Sequence, residues 1–205
     1  MKAYISSKLS ETKSFQFIEF LLQSPIFFRY RNFRTFTSPR PAQFSSLAVD
    51  VSGDLVASGA SDVYEVFLWS VQTGHLLEII SGHEGPVSCL AFNPSPASGA
   101  SQLATASWDK TIKIWDALSA NSSNAETIEI VSDATALAFR PDGRQVAVAT
   151  MNGHITFFDP VSGQQNGSIE GKGDLAVGRL DTDLVKPKKS QVNMLHNTID
   201  FYAEM

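Results

Sequence analysis

The 205-residue chain has a single cysteine, Cys89, and that scarcity removes several function classes at once. One thiol excludes an internal disulfide framework and any zinc site built from several cysteines. Set inside an apolar run, Cys89 reads as a small buried side chain, and a cytosolic or nuclear compartment fits this cysteine usage. Charged residues make up only 18% of the chain and the net charge is −5, the profile of an ordinary folded protein. No stretch reaches 18 apolar residues, so no membrane span is expected. Gly-rich phosphate loops, a His-x-x-Glu-His-type helix and paired catalytic carboxylates are all missing. His75, His154 and His196 are scattered without a second ligand type at metal spacing. No metal, cofactor or small-molecule substrate is expected, and neither is an enzyme.

What the chain does have is repetition. Leu47-Ala48-Val49-Asp50, Leu90-Ala91-Phe92-Asn93 and Leu137-Ala138-Phe139-Arg140 are one segment met three times, 43 and 47 residues apart. A closing aromatic recurs as Trp69, Trp115 and Phe158, at intervals of 46 and 43 residues. Within each unit the apolar period is 2, as in Thr111-Ile112-Lys113-Ile114-Trp115, and no helical period competes across residues 44–171. Asn152-Gly153 is a two-residue hairpin signal, and Arg140-Pro141-Asp142-Gly143 is a tight turn. Residues 94–101, rich in Pro, Ser, Ala and Gly, read as a surface loop of the middle unit.

The middle unit opens on Gly82-His83 and closes on Trp115-Asp116, which is the pattern of a WD-type repeat. The fold class expected is therefore all-β. It is a WD-repeat β-propeller fragment of about three four-stranded blades, with irregular or short helical ends. The units run over 44–81, 82–118 and 126–171. Three blades form an open arc, since propellers close with about four to eight. The end faces of such an arc are apolar, so the isolated chain is expected to be poorly soluble or oligomeric.

His83, Asp109 and a hydroxyl from Thr105 or Ser107 have the residue types of a nucleophilic triad. No exposed nucleophile turn or oxyanion-hole signature accompanies them. In a WD-type blade the same types instead form a buried hydrogen-bonded chain ending on the strand tryptophan, here Trp115. Asp109 would accept from His83, His83 would meet the hydroxyl, and the hydroxyl would accept from the indole N–H. The first unit has Asp62 and Trp69 but no upstream Gly-His, and the third has Asn152 and Phe158. The flanking units are thus expected to rest on packing and to fray first.

The ends follow other rules. In residues 1–28, Lys2 and Lys8 precede a partly apolar run that Glu19, Gln23 and Pro25 interrupt, with no cleavage site beyond. This reads as a non-repeat leader. Residues 29–43 form a basic-aromatic connector whose Arg29, Arg31, Phe33, Arg34, Phe36 and Arg40 are candidate RNA contacts. The competing reading is a connector whose aromatics pack and whose arginines stay solvated. Residues 172–205 are a non-repeat tail, and its Lys186-Pro187-Lys188-Lys189 is too short a basic run to carry an argument.

Several longer stretches are more specific than any WD repeat. They include residues 30–41 with Phe44, residues 67–74, residues 80–86, residues 106–111 and residues 139–143, with residues 167–171 extending them. Together these resemble the periodic tryptophan protein 2 family over about residues 29–179. The resemblance implies a scaffold in the small-subunit processome of the nucleolus, acting in precursor rRNA processing and small nucleolar ribonucleoprotein assembly. It implies partners among other WD-repeat and ribosome-assembly proteins, contact with precursor rRNA or small nucleolar RNA, and no membrane. It also implies a partial chain, because the family's helical C-terminal assembly region has no counterpart here. The other reading of the repeats is a generic WD-repeat adaptor of a ubiquitin-ligase or signalling complex.

Overall fold

Short alternating runs punctuated by Gly, Asp and Asn leave the backbone only strands and turns. The computed structural model describes residues 14–18, 32–95, 101–117, 126–170, 179–181, 194–195 and 198–200, and these hold strands and no helix. Strands β1 (Ser14–Ile18) and β2 (Asn32–Thr37) pair antiparallel. A four-stranded antiparallel meander follows, made of β3 (Phe44–Val49), β4 (Leu55–Ala60), β5 (Val66–Ser70) and β6 (Leu76–Ile80). The second meander is β7 (Val87–Phe92), β8 (Gln102–Ser107), β9 (Thr111–Asp116) and β10 (Glu126–Glu129). The third is β11 (Ala134–Phe139), β12 (Val146–Thr150), β13 (His154–Phe158) and β14 (Gln165–Glu170). Last come β15 (Arg179–Asp181), β16 (Met194–Leu195) and β17 (Thr198–Asp200), with β17 central and parallel to β15.

These are three propeller blades, as the repeats predict. Two details differ from the sequence reading. Residues 126–129 belong to the second blade, because Glu126 pairs with Ile114 and Glu129 with Thr111, so the boundary drawn at 126 moves beyond 129. The described parts of both ends are extended strands where short helices or irregular chain were expected. In the leader, the period-2 run of β1 finds a pairing edge in β2, which no local signal announces.

The blades stack face to face through their inner strands, with β7 beside both β3 and β11. Two cores fill the gaps. Leu55, Val66, Leu68 and Ile80 of the first blade meet Val87, Leu90, Leu103 and Trp115 of the second. Ala104, Ala106, Ile112, Ile114 and Ile128 of the second meet Leu137, Phe139, Val146, Val148 and Phe158 of the third. The alternation in β9 explains the division, since Ile112 and Ile114 face one neighbour and Trp115 the other. Each inner strand carries a register shift at its start, between Phe44 and Ser46, Val87 and Cys89, and Ala134 and Ala136. Such a bulge increases local twist at the same height in every blade, which the fan of a propeller needs.

Two close approaches fix the stacking. A Cβ on Gly59 of β4 would stand 2.6 Å from Cγ1 of Val87, so only glycine admits the second blade at that height. Gly143, in the left-handed region at φ +73°, would with a Cβ come 2.2 Å from Oδ1 of Asn93. Asn93 in turn donates from Nδ2 to the Gly143 carbonyl at 3.1 Å, a polar link between the second and third blades that the sequence reading missed.

Candidate functional site

The middle blade assembles its polar residues because β8 and β9 are joined by the Trp108-Asp109-Lys110 turn, with Lys110 at φ +65°. That turn lifts Asp109 over the preceding connection, where His83 lies. His83 Nδ1 stands 2.8 Å from Oδ2 of Asp109, and its Nε2 stands 2.8 Å from Oγ1 of Thr105. Trp115 donates its indole N–H to the same Thr105 oxygen at 2.8 Å. The arrangement requires the tautomer with the proton on Nδ1, so that Thr105 donates to Nε2 while accepting from Trp115. Of the two hydroxyls, Thr105 occupies the chain. Ser107 instead accepts the Asp109 amide N–H at 3.1 Å and holds the turn.

Asp109 is the hub. Besides His83 it accepts the amide of Glu84 at 2.9 Å, the amide of Thr111 at 2.9 Å and the Thr111 hydroxyl at 2.7 Å. Burial alone would raise its pKa, but the bonds from Thr111, Glu84 and His83 outweigh that and hold it below the ordinary carboxylate value. Burial pushes His83 the other way, below the ordinary imidazole value, and the nearby Asp109 only partly opposes this. The pair is thus carboxylate and neutral imidazole at pH 7. Thr105 is fully buried and its oxygen is already engaged on both sides, so it has no free direction from which to attack a substrate. Burial also pushes the Cys89 thiol up to about 12, which keeps it protonated and unreactive.

The neighbouring blades solve the same position differently. In the first, the indole of Trp69 donates to the Thr37 carbonyl of β2 at 3.1 Å, and Asp62 accepts the amides of Gln43 and Val63, each at 2.9 Å. In the third, Asn152 accepts from the Thr150 hydroxyl at 2.5 Å and from the His154 amide at 3.3 Å, and Phe158 offers no donor. Neither carries the four-residue chain.

Of the candidate RNA contacts, Arg34, Phe36 and Arg40 have described side chains, and each is already engaged within the first blade or its connector. Phe36 is 2% exposed and lies between Val56, Phe67 and Trp69, with its ring 5.9 Å from the Trp69 indole. Its ring is thus covered and unavailable for base stacking, because β2 lays it on the outer face of the first blade. Arg40 is ion-paired with Glu65, and the half-buried Arg34 packs its side chain against Gly74. Phe33 lies in β2, while Arg29 and Arg31 lie outside the described residues, as does His196. Among the described residues, no group of three or more His, Cys, Asp or Glu side chains converges to hold a metal.

Known proteins share this pattern. A model of the family described as WD domain, G-beta repeat, matches residues 74–116. The match starts on β6 and ends with β9, so one sequence repeat supplies the outer strand of one blade and three strands of the next. The periodic tryptophan protein 2 homolog of Mus musculus is 53% identical over 176 residues, covering 86% of this chain and 19% of the relative. The chain belongs to the periodic tryptophan protein 2 family. The Schizosaccharomyces pombe homolog is 48% identical over 176 residues (86% of this chain, 20% of the relative). Periodic tryptophan protein 2 of Saccharomyces cerevisiae is 47% identical over 173 residues (84% and 18%). The chain spans about a fifth of the length of these curated periodic tryptophan protein 2 relatives.

Proposed function

We propose that this chain is a non-catalytic WD-repeat scaffold segment in nucleolar assembly of the small ribosomal subunit. In this reading it helps hold the particle in which precursor rRNA is processed and small nucleolar ribonucleoproteins assemble. The observation that supports it most is the periodic tryptophan protein 2 match running through all three blades. The chemistry of the middle blade agrees, because every member of its triad-like set is spent on internal hydrogen bonds. Its partners are then other WD-repeat and ribosome-assembly proteins. RNA contact through the Arg-aromatic stretch is not part of the proposal, since Phe36 is packed and Arg40 is paired.

The test is affinity purification of the full-length protein followed by mass spectrometry. Ribosome-assembly factors, with nucleolar fluorescence of the tagged protein, are the expected result. Recovery of ubiquitin-ligase or signalling subunits instead would overturn this reading and establish the generic adaptor.

A further inference from the structure

In each four-stranded meander the second-to-third turn and the exit to the next blade fall at the same end of the sheet. Hydrogen bonds tie these loops into one rim. Ser81 donates to Glu65 at 3.3 Å, the Glu84 amide to Asp109 at 2.9 Å, the Ile130 amide to the Lys110 carbonyl at 2.9 Å, and the Met151 amide to the Asp133 carbonyl at 2.9 Å. Large apolar side chains stand out of this rim in all three blades. Tyr64 is 39% exposed, Trp108 49%, Met151 46%, and Val131, between the second and third blades, 90%. None of them fills an inter-blade core, and a polar residue at each position would solvate the turn equally well. Exposed tryptophan and methionine on a rigid edge are typical anchors of a protein interface.

The charge around them is predominantly negative. Asp62, Glu84, Glu129 and Asp133 flank the apolar row, and Asp109 lies beneath it as a carboxylate. Among the described residues the cations of the rim are Lys110 and Arg40, and Arg40 is already paired with Glu65. Such a field repels a phosphate backbone and attracts cationic side chains. We propose that this acidic-rimmed apolar edge docks a basic segment of another protein. Its large apolar residues seat against Trp108, Val131 and Met151, while its lysines or arginines face Glu84, Glu129 and Asp133. The inference goes beyond the scaffold reading and does not depend on which assembly the protein serves.

Three fluorescent synthetic peptides, alternating Lys-Leu, Glu-Leu and Lys-Ser, are titrated into the full-length protein and followed by anisotropy. Lys-Leu binds more tightly than the other two, and Trp108→Ala or Met151→Ser each weaken it about tenfold, the scale of an interface anchor. Both variants keep the wild-type thermal midpoint, because the side chains are exposed. A photocrosslinking residue placed at Val131 captures the Lys-Leu peptide. Binding that neither substitution alters, or equal binding of Glu-Leu, overturns the proposal. So does tight binding of single-stranded oligouridylate RNA that is lost in Trp108→Ala.

Discussion

Replacing Thr105 by valine removes one oxygen from a fully buried site and keeps the side-chain shape. That oxygen serves two partners at 2.8 Å each, so the change leaves both the Trp115 indole N–H and His83 Nε2 buried without a partner. Each orphaned group costs about 1–3 kcal/mol, which puts the variant about 2–6 kcal/mol below wild type in local stability. Ser107→Ala, at a neighbouring and equally buried hydroxyl, breaks one bond to the Asp109 amide and costs about 1 kcal/mol. The readout is native-state hydrogen exchange of the β8 and β9 amides in the full-length protein, which isolates this blade from the rest. Trp115→Phe in the Thr105→Val background then removes one of the two orphans. The pair should therefore couple by about 1 kcal/mol in a double-mutant cycle. If Thr105→Val protects within about 0.5 kcal/mol of wild type, or no less than Ser107→Ala, the chain from Asp109 to Trp115 is not what holds the middle blade.

The remaining predictions test charge, fit and the reassigned connector. His83 has a folded pKa below its unfolded value, so the unfolded chain binds the extra proton; middle-blade stability is full above about pH 6.5 and falls as pH drops. His83→Gln should flatten that slope between pH 7 and 5, and an unchanged slope would assign it to another group. Gly59→Ala forces a Cβ to within 2.6 Å of Val87 and should cost about 1–3 kcal/mol by chemical denaturation. Phe36→Ala should destabilise the outer core of the first blade by about 3–5 kcal/mol, read as faster exchange in β5, and leave any RNA affinity of the full-length protein unchanged. A loss of RNA binding at unchanged stability would restore the stacking role that its burial denies it.

The blades were legible because the Leu-Ala segment and the closing aromatic recur at a fixed period, and both report on strands that every blade must bury. The residue types of the polar chain were legible too, although the choice of Thr105 over Ser107 depended on which hydroxyl of β8 faces the indole. The outer strand of the second blade is the least legible, since it pairs with β9 across the intervening stretch. Glu126–Glu129 is mostly polar and follows an eight-residue stretch outside the described residues, so nothing local ties it to β9. Phe36 misled for a related reason. Arginine and aromatics in alternation have the same composition whether the rings meet bases or Trp69, and the decision was made by a partner 33 residues away. The Asn93–Gly143 link joins two loops of different blades, and only stacking brings them together.

The claim that the protein is a scaffold for the small ribosomal subunit is tested most directly by depleting the full-length protein and pulse-labelling rRNA. The account predicts that mature small-subunit rRNA falls while large-subunit rRNA continues to accumulate, with recovery on re-expression of the wild-type protein. Equal labelling of both subunits after depletion would contradict it.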